Sequence, residues 1–257
     1  MKIRNVLSLF DGISCGQLAL NRAGVEYQNY YASEINKYAI QVTQHNWPRT
    51  TQLGDITKIQ SDQLLDIDLI IGGSPCQGFS VMGKLLNFED PRSKLFFEYV
   101  RLLNELKPKY FLLENVKMNK MSRDIISSYL NVQPIEINSA LVSGQRRKRL
   151  YWTNIPNVIQ PDDKHINFDK VVWRRPHSYI TEYTKLSEKF PTITTRVAGD
   201  FKIVENDIKR KITPQECEIL QTIPVDYTSQ ISDNQRFMCL GNCWTIDVIS
   251  HILSFIK

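Results

Sequence analysis

The sequence predicts an α/β protein built on a mostly parallel sheet, and three observations carry that expectation. Apolar runs of strand length alternate with segments of helical period, a glycine turn follows the first run, and acidic or nucleophilic residues recur where the runs end. In sheets of this kind ligands bind beyond the carboxyl ends of the strands, so chemically loaded residues at those ends share one edge.

Residues 6–10 form the first run, Gly12 turns the chain, and Ser14 is placed to cap a helix that carries Leu18 and Leu20 and stops at Gly24. A second strand over 30–33 ends at Glu34 and feeds a helix through Tyr38, Ile40 and Val42, closed by Trp47-Pro48. Leu69-Ile70-Ile71 reads as a buried strand opening into Gly72-Gly73-Ser74-Pro75-Cys76, and residues 110–113 as another that ends at Glu114. Between these two, Ser93 is placed to cap a helix whose Leu95, Phe96, Tyr99, Leu102, Leu103 and Leu106 recur at helical spacing until Pro108. Gly12, Glu34, Cys76 and Glu114 should then project from the same edge. Over 153–212 the texture changes to short segments with prolines at 156, 161, 176 and 191, which predicts a small irregular second domain. Helical character returns at 214–220 and again over 244–256, where Ile246, Ile249, Leu253 and Ile256 make one apolar face that should pack back on the first domain. The expected division is 1–152, 153–212 and 213–257, the last returning to the first unit.

At 257 residues the chain can bury a substantial core without disulfides. Its five cysteines, at 15, 76, 217, 239 and 243, form no CxxC pair and read as reduced thiols of an intracellular protein. Cys239, Cys243 and His251 fit packed helical positions better than a zinc site, so no metal is expected. No run approaches the roughly 18 apolar residues of a membrane span, so the expectation is a soluble, cytoplasmic protein without a membrane partner. The net charge is +5, with basic clusters at 146–149, 174–175 and 209–211 that suit a phosphate backbone, although a basic run alone is more often a solvated surface.

A glycine turn after the first strand and an acid ending the second are how α/β folds hold an adenosine-containing cofactor: the backbone approaches closely at Gly12 and Glu34 accepts from ribose hydroxyls. NAD, a flavin and S-adenosylmethionine all satisfy this. The turn Phe10-Asp11-Gly12-Ile13-Ser14-Cys15-Gly16 lacks the glycine spacing that seats a pyrophosphate on the helix N-terminus, which favours the phosphate-free S-adenosylmethionine. Cys76, in a loop of small residues and proline at a strand end, is a candidate nucleophile. Glu114-Asn115-Val116 and Gln145-Arg146-Arg147-Lys148-Arg149 accompany it.

These pieces resemble the ordered motifs of the cytosine-5 DNA methyltransferases. They are Phe-x-Gly after strand one, the Glu34 strand end, Gly54-Asp55-Ile56, Pro75-Cys76-Gln77, Glu114-Asn115-Val116, Gln-x-Arg-x-Arg at 145–149, and Gly241-Asn242. The match covers 1–152 and 210–257. Residues 8–13, 192–196 and 240–244 are similar to the eukaryotic de novo branch, whereas Gln145 and Asn242 fit the bacterial pattern, so the sequence looks like a compact microbial or viral relative. The resemblance implies a Rossmann-like S-adenosylmethionine-dependent methyltransferase fold with a small target-recognition region acting on double-stranded DNA. It implies Cys76 as nucleophile, Glu114 at cytosine N3 and the exocyclic amine, and Arg147 and Arg149 holding the cytosine O2 and orienting the catalytic loop. Cofactor contacts carried over are Phe10, Gly12, Ile13, Glu34, Ile35, Asp55, Ile56, Gly73, Pro75, Leu95, Asn242 and Trp244. Gln77, Ser80, Lys84 and Arg196 are carried over as DNA contacts, and the loop 77–92 as a lid. Base flipping follows, because the chemistry cannot occur in a stacked duplex. A homodimer and a cognate restriction endonuclease are partners the resemblance leaves open. A branch that methylates a cytosine in tRNA, whose nucleophile loop typically begins Pro-Pro-Cys, and catalytically silent members of the de novo branch are the alternatives.

Overall fold

A computed structural model describes residues 3–64, 66–75, 91–168, 171–174, 184–185, 189–205 and 208–257. Its centre is a seven-stranded sheet of β1 (Ile3–Leu9), β2 (Tyr27–Ser33), β3 (Thr51–Gln52), β4 (Ile67–Gly72), β5 (Tyr110–Val116), β6 (Ile135–Asn138) and β7 (Lys148–Thr153), in the order β3-β2-β1-β4-β5-β7-β6. The first five run parallel, while β7 pairs antiparallel with both β5 and β6. The strand order reverses between β1 and β4, and their carboxyl ends open the crevice where such sheets take ligands.

Alternate residues of each strand feed two cores, because successive side chains leave a strand on opposite faces. Val6, Leu69 and Ile71 pack with Ala19 and Leu20 of α1 (Cys15–Arg22), with Ala39 and Val42 of α2 (Lys37–Asn46), and with Ile249 and Leu253 of α8 (Ile246–Leu253). Leu7, Leu9, Ile70 and Leu113 pack with Phe96 and Leu102 of α3 (Pro91–Leu106) and with Ile126 and Leu130 of α4 (Lys120–Leu130). The last helix thus returns to the first unit and lies against α1, as its apolar face predicts, though it ends at Leu253 and leaves Ile256 beyond it. Among the described residues no helix is long and apolar enough to cross a membrane.

Three expectations change. Ser14 precedes α1 in the left-handed conformation and makes no cap hydrogen bond; its hydroxyl donates to Asp11 instead. α3 starts at Pro91, so Ser93 lies inside the helix, with a proline at its first turn where the missing N–H costs nothing. The stretch 153–212 is not merely irregular. It contains a four-stranded antiparallel sheet, β11-β10-β8-β9, formed by β8 (Val171–Arg174), β9 (Thr184–Lys185), β10 (Phe201–Glu205) and β11 (Ile208–Arg210). Strands this short give no readable alternation. Phe190, Ile193, Val197, in the short α5 (Val197–Asp200), and Ile203 also join the core that α8 covers, so this part is packed into the whole.

Two helices complete that side. α6 (Pro214–Leu220) opens on a capping box in which Thr213 and Glu216 satisfy each other's backbone N–H, and Arg210 grips the same Glu216. α7 (Asp233–Asn242) is tied to α6 by Arg236, which pairs with the fully buried Glu218 at 3.2 Å.

Candidate active site

A cavity of about 470 Å³ opens at the carboxyl ends of β1, β2 and β4. Its first wall is the turn after β1. Phe10 and Gly12 adopt left-handed backbone conformations, φ 58° and 59°, the first unusual for an aromatic residue. No atom lies within 4 Å of where a Gly12 side chain would begin, so the bare backbone faces open space. The Gly12 N–H donates to Glu34 Oε2 at 2.8 Å, while Oε1 accepts from the N–H groups of Ile35 and Asn36, both at 2.8 Å. These three donors fix the carboxylate, and its remaining lone pairs suit a vicinal diol.

Phe10, Ile13, Ile35, Ile56 and Leu95 give the cavity apolar walls. Ile35 is 77% exposed, a large apolar side chain left uncovered at the mouth and suited to a flat heterocycle. Asp55 also lines the cavity. Its carboxyl lies below the usual carboxylate range because the Thr57 N–H and hydroxyl donate to it. Gly73, Pro75 and Asn242 close the far end. Eleven of the twelve expected cofactor residues therefore line one cavity. The twelfth, Trp244, does not; it turns its indole to Glu114. A ribose acceptor, apolar walls and an exposed backbone edge fit the adenosyl group of S-adenosylmethionine.

Glu114, near the end of β5, reaches this cavity from the other side. Arg149 Nε pairs with Glu114 Oε1 at 2.9 Å, and Trp244 Nε1 donates to Oε2 at 3.2 Å. The antiparallel β5–β7 pairing sets this up, with Glu114 opposite Tyr151 and Val116 opposite Arg149.

Arg147 lines the same cavity and has a second set of partners. It is buried, and its guanidinium donates to three backbone carbonyls: Ile193 at 2.9 Å, Cys243 at 2.9 Å and Gly241 at 3.3 Å. Burial draws its pKa down from the ordinary arginine value. Three donors on the backbone make Arg147 a clamp between the segment 192–196 and the end of α7, while Arg149 pairs with Glu114 beside it. Gln145 repeats the device: Oε1 accepts from the Ile193 N–H at 2.7 Å, and Nε2 donates to the Leu220 carbonyl at 3.1 Å. Sequence reasoning gave Gln145 no role.

Asn115, in the Glu-Asn-Val motif, has a bracing role of its own. Its amide donates to the Ser74 hydroxyl and carbonyl at 3.2 and 3.3 Å, bracing the chain two residues before Cys76. Cys76, Gln77, Ser80, Lys84 and the lid 77–92, apart from the start of α3, lie outside the described residues. Arg196 is exposed where α5 begins. Cys15, Cys217, Cys239 and Cys243 are buried; burial pushes the Cys243 thiol well up and the Cys239 thiol up to about 12. Among the described residues no cluster could hold a metal ion.

A Rossmann-like sheet carrying an adenosyl-sized cavity at its switch point, with a carboxylate and guanidinium at the far wall, defines an S-adenosylmethionine-dependent methyltransferase. The sequence model described as C-5 cytosine-specific DNA methylase matches residues 4–125 and 118–257, and the chain belongs to that family. The Type II methyltransferase M1.ScrFI of Lactococcus lactis subsp. cremoris is 30% identical over 96% of this chain and 76% of its own length. The orphan methyltransferase M.Rho11sI of Bacillus phage rho11s is 48% identical over 63% of this chain, a match spanning 35% of that protein. Two solved structures share the fold, each at TM-score 0.73 and 21% identity and each covering 98% of this chain. One is a putative DNA modification methyltransferase encoded within an Escherichia coli prophage, 97% covered; the other is a Spodoptera frugiperda DNMT2 variant, 99% covered. The chain is thus a cytosine-5 methyltransferase with S-adenosylmethionine as methyl donor.

Proposed function

We propose that this protein methylates C5 of a cytosine in double-stranded DNA, with the base turned out of the stack and Cys76 as the attacking thiol. The observation that carries this reading is the Glu114–Arg149 pair, which opens into the cavity that Gly12 and Glu34 build for the methyl donor.

Cytosine C5 is a weak nucleophile until a thiolate adds to C6. Cys76 supplies the thiolate, and electrons pushed toward N3 are met by a proton shared between N3 and Glu114, which also accepts from the exocyclic amine. Arg149 sets positive charge beside O2 as that oxygen gains negative character. S-Adenosylmethionine, which Gly12 and Glu34 would hold, would supply the methyl group to C5 and leave as S-adenosylhomocysteine; loss of the C5 proton to solvent then breaks the Cys76–C6 bond and leaves 5-methylcytosine. Cys15, beside Cys243 in the core, is 3% exposed and has no path to a base. Gln77, Ser80, Lys84 and Arg196 complete the reading as contacts that offset the few kcal/mol of unstacking.

RNA is the second reading, because the fold is shared as closely with a DNMT2 structure as with a prophage DNA modification enzyme. M1.ScrFI is named a Type II enzyme and M.Rho11sI an orphan one, so a partner restriction endonuclease is a question for the genomic neighbourhood.

Bisulfite sequencing of both DNA and RNA from cells expressing the protein decides between substrates. The expected result is 5-methylcytosine in DNA at one sequence context, its loss in Cys76→Ala, and covalent trapping of the wild type on duplexes carrying 5-fluorocytosine. Methylation confined to RNA overturns the choice of DNA, and near-normal turnover by Cys76→Ala overturns the nucleophile.

A further inference from the structure

Trp244 falls on a position the sequence reading gave to the cofactor, yet it does not line the donor cavity, although its neighbours Asn242 and Cys243 do. Its side chain is buried, and its indole N–H, which can only donate, spends its single hydrogen bond on Glu114 Oε2 at 3.2 Å. The other carboxylate oxygen belongs to Arg149. Two donors, one on each oxygen, fix the plane of the carboxyl group as neither could alone. Each oxygen keeps a lone pair for the base.

The surrounding backbone holds Trp244 firmly. The Cys243 carbonyl before it is gripped by Arg147 at 2.9 Å, and the hydroxyl of Thr245 after it bonds Gln221 Oε1 at 2.8 Å and Ser139 Oγ at 2.9 Å. Gly73 supplies an independent observation. A side-chain carbon there would lie 3.0 Å from Trp244 Nε1 and 3.1 Å from Glu114 Oε2, against both ends of the hydrogen bond. Glycine at 73 is therefore what leaves room for the indole and the carboxylate to meet over the end of β4.

We propose that Trp244 is a positioning residue for methyl transfer: its indole N–H orients the Glu114 carboxyl toward the target base, and it acts through Glu114 rather than by binding the methyl donor. This rests on the assignment of Glu114 to the cytosine ring. A hydrogen bond to a charged acceptor is worth enough for its loss to cost about tenfold or more in rate.

The test compares single-turnover methyl transfer with donor affinity measured calorimetrically. Trp244→Phe, which keeps a ring and deletes the N–H, should transfer methyl groups about tenfold more slowly while binding S-adenosylmethionine within about twofold of wild type. Glu34→Ala should show the opposite pattern, with weakened donor binding. In a Glu114→Ala background the Trp244→Phe change should cost little more, because the two residues act as one unit. Replacing Trp244 with the isostere that carries sulfur in place of the indole nitrogen removes only the donor and covers the case in which Trp244→Phe fails to fold. Donor affinity falling in parallel with rate overturns the proposal in favour of a cofactor wall, and so does an unchanged rate in the isostere. If Glu114→Ala itself keeps wild-type rate, the assignment of Glu114 fails instead, and the Trp244 proposal falls with it.

Discussion

Asp11 is buried between Phe10 and Gly12 of the cavity wall and accepts from the Ser14 hydroxyl and from Tyr30 at 2.8 Å. Through Ser14 the network continues to Gln17, and from Gln17 to Thr50 and Tyr27. Burial pushes the Asp11 carboxyl up to about 6 from 3.8, against the Ser14 and Tyr30 hydroxyls that favour its charged form, with Glu34 adding repulsion. A raised acid makes the folded state bind more protons than the unfolded one between those two values. Its contribution to stability is therefore best below pH 4 and is lost as pH rises through 6, to the extent of about 3 kcal/mol. Asp11→Asn abolishes the titration. The variant should gain stability relative to wild type as pH rises from 4.5 to 7.5, read from urea midpoints, and a gap that does not change with pH overturns this. A carboxylate kept at such a cost, beside a turn with Phe10, Gly12 and Ser14 all left-handed, serves to hold that turn in shape for the donor.

Among the elements, β1, β2, β4 and β5 were legible because buried parallel strands read as nearly continuous apolar runs. Their amino-terminal ends were missed where polar residues alternate, as in Tyr27-Gln28-Asn29 of β2. α4 escaped because it buries Ser122 and Ser127 alongside Ile126 and Leu130, and α7 because its sequence ends in glycine and asparagine, weak helix formers. The residues that line the cavity were legible since a turn glycine, a strand-end acid and an apolar wall each need a particular residue type. What Arg147 and Gln145 do was not, because four of the five groups that Arg147 and Gln145 Nε2 reach, the carbonyls of Ile193, Leu220, Gly241 and Cys243, have no signature in a sequence. The close approach at α7 leaves one trace. A side-chain carbon at Gly241 would come within 2.8 Å of the Thr194 carbonyl oxygen and nearer still to the Thr195 nitrogen. Gly241→Ala must push the segment 192–196 off the helix, an overpacking cost of about 1–3 kcal/mol, so the melting temperature should fall by several degrees. A melting temperature equal to wild type places that segment less tightly than described.

For the whole molecule, a net charge of +5 supplies a sequence-independent pull on nucleic acid, leaving sequence choice to a few contacts. Arg196 is the exposed candidate, held where its backbone N–H meets the Thr194 hydroxyl at 3.3 Å. If its guanidinium reads a guanine through O6 and N7, a contact worth about 1–3 kcal/mol of discrimination, Arg196→Ala should methylate cytosines in a broader 3′ context. Sequenced methylation that keeps the wild-type motif at uniformly lower yield assigns Arg196 to a phosphate instead. The Arg147 clamp bears on how such enzymes could be rebuilt. A segment grafted from a relative would bring a backbone carbonyl at 193 whatever its sequence, so what it has to match is the path that sets this carbonyl 2.9 Å from Arg147 and lays Thr194 and Thr195 against the bare Gly241; a chimaera that swaps 192–196 alone and shifts that path would leave the buried Arg147 one acceptor short. Specificity in this scaffold should therefore be transplantable only as a cassette, with the strip 241–243 travelling beside the reading loop.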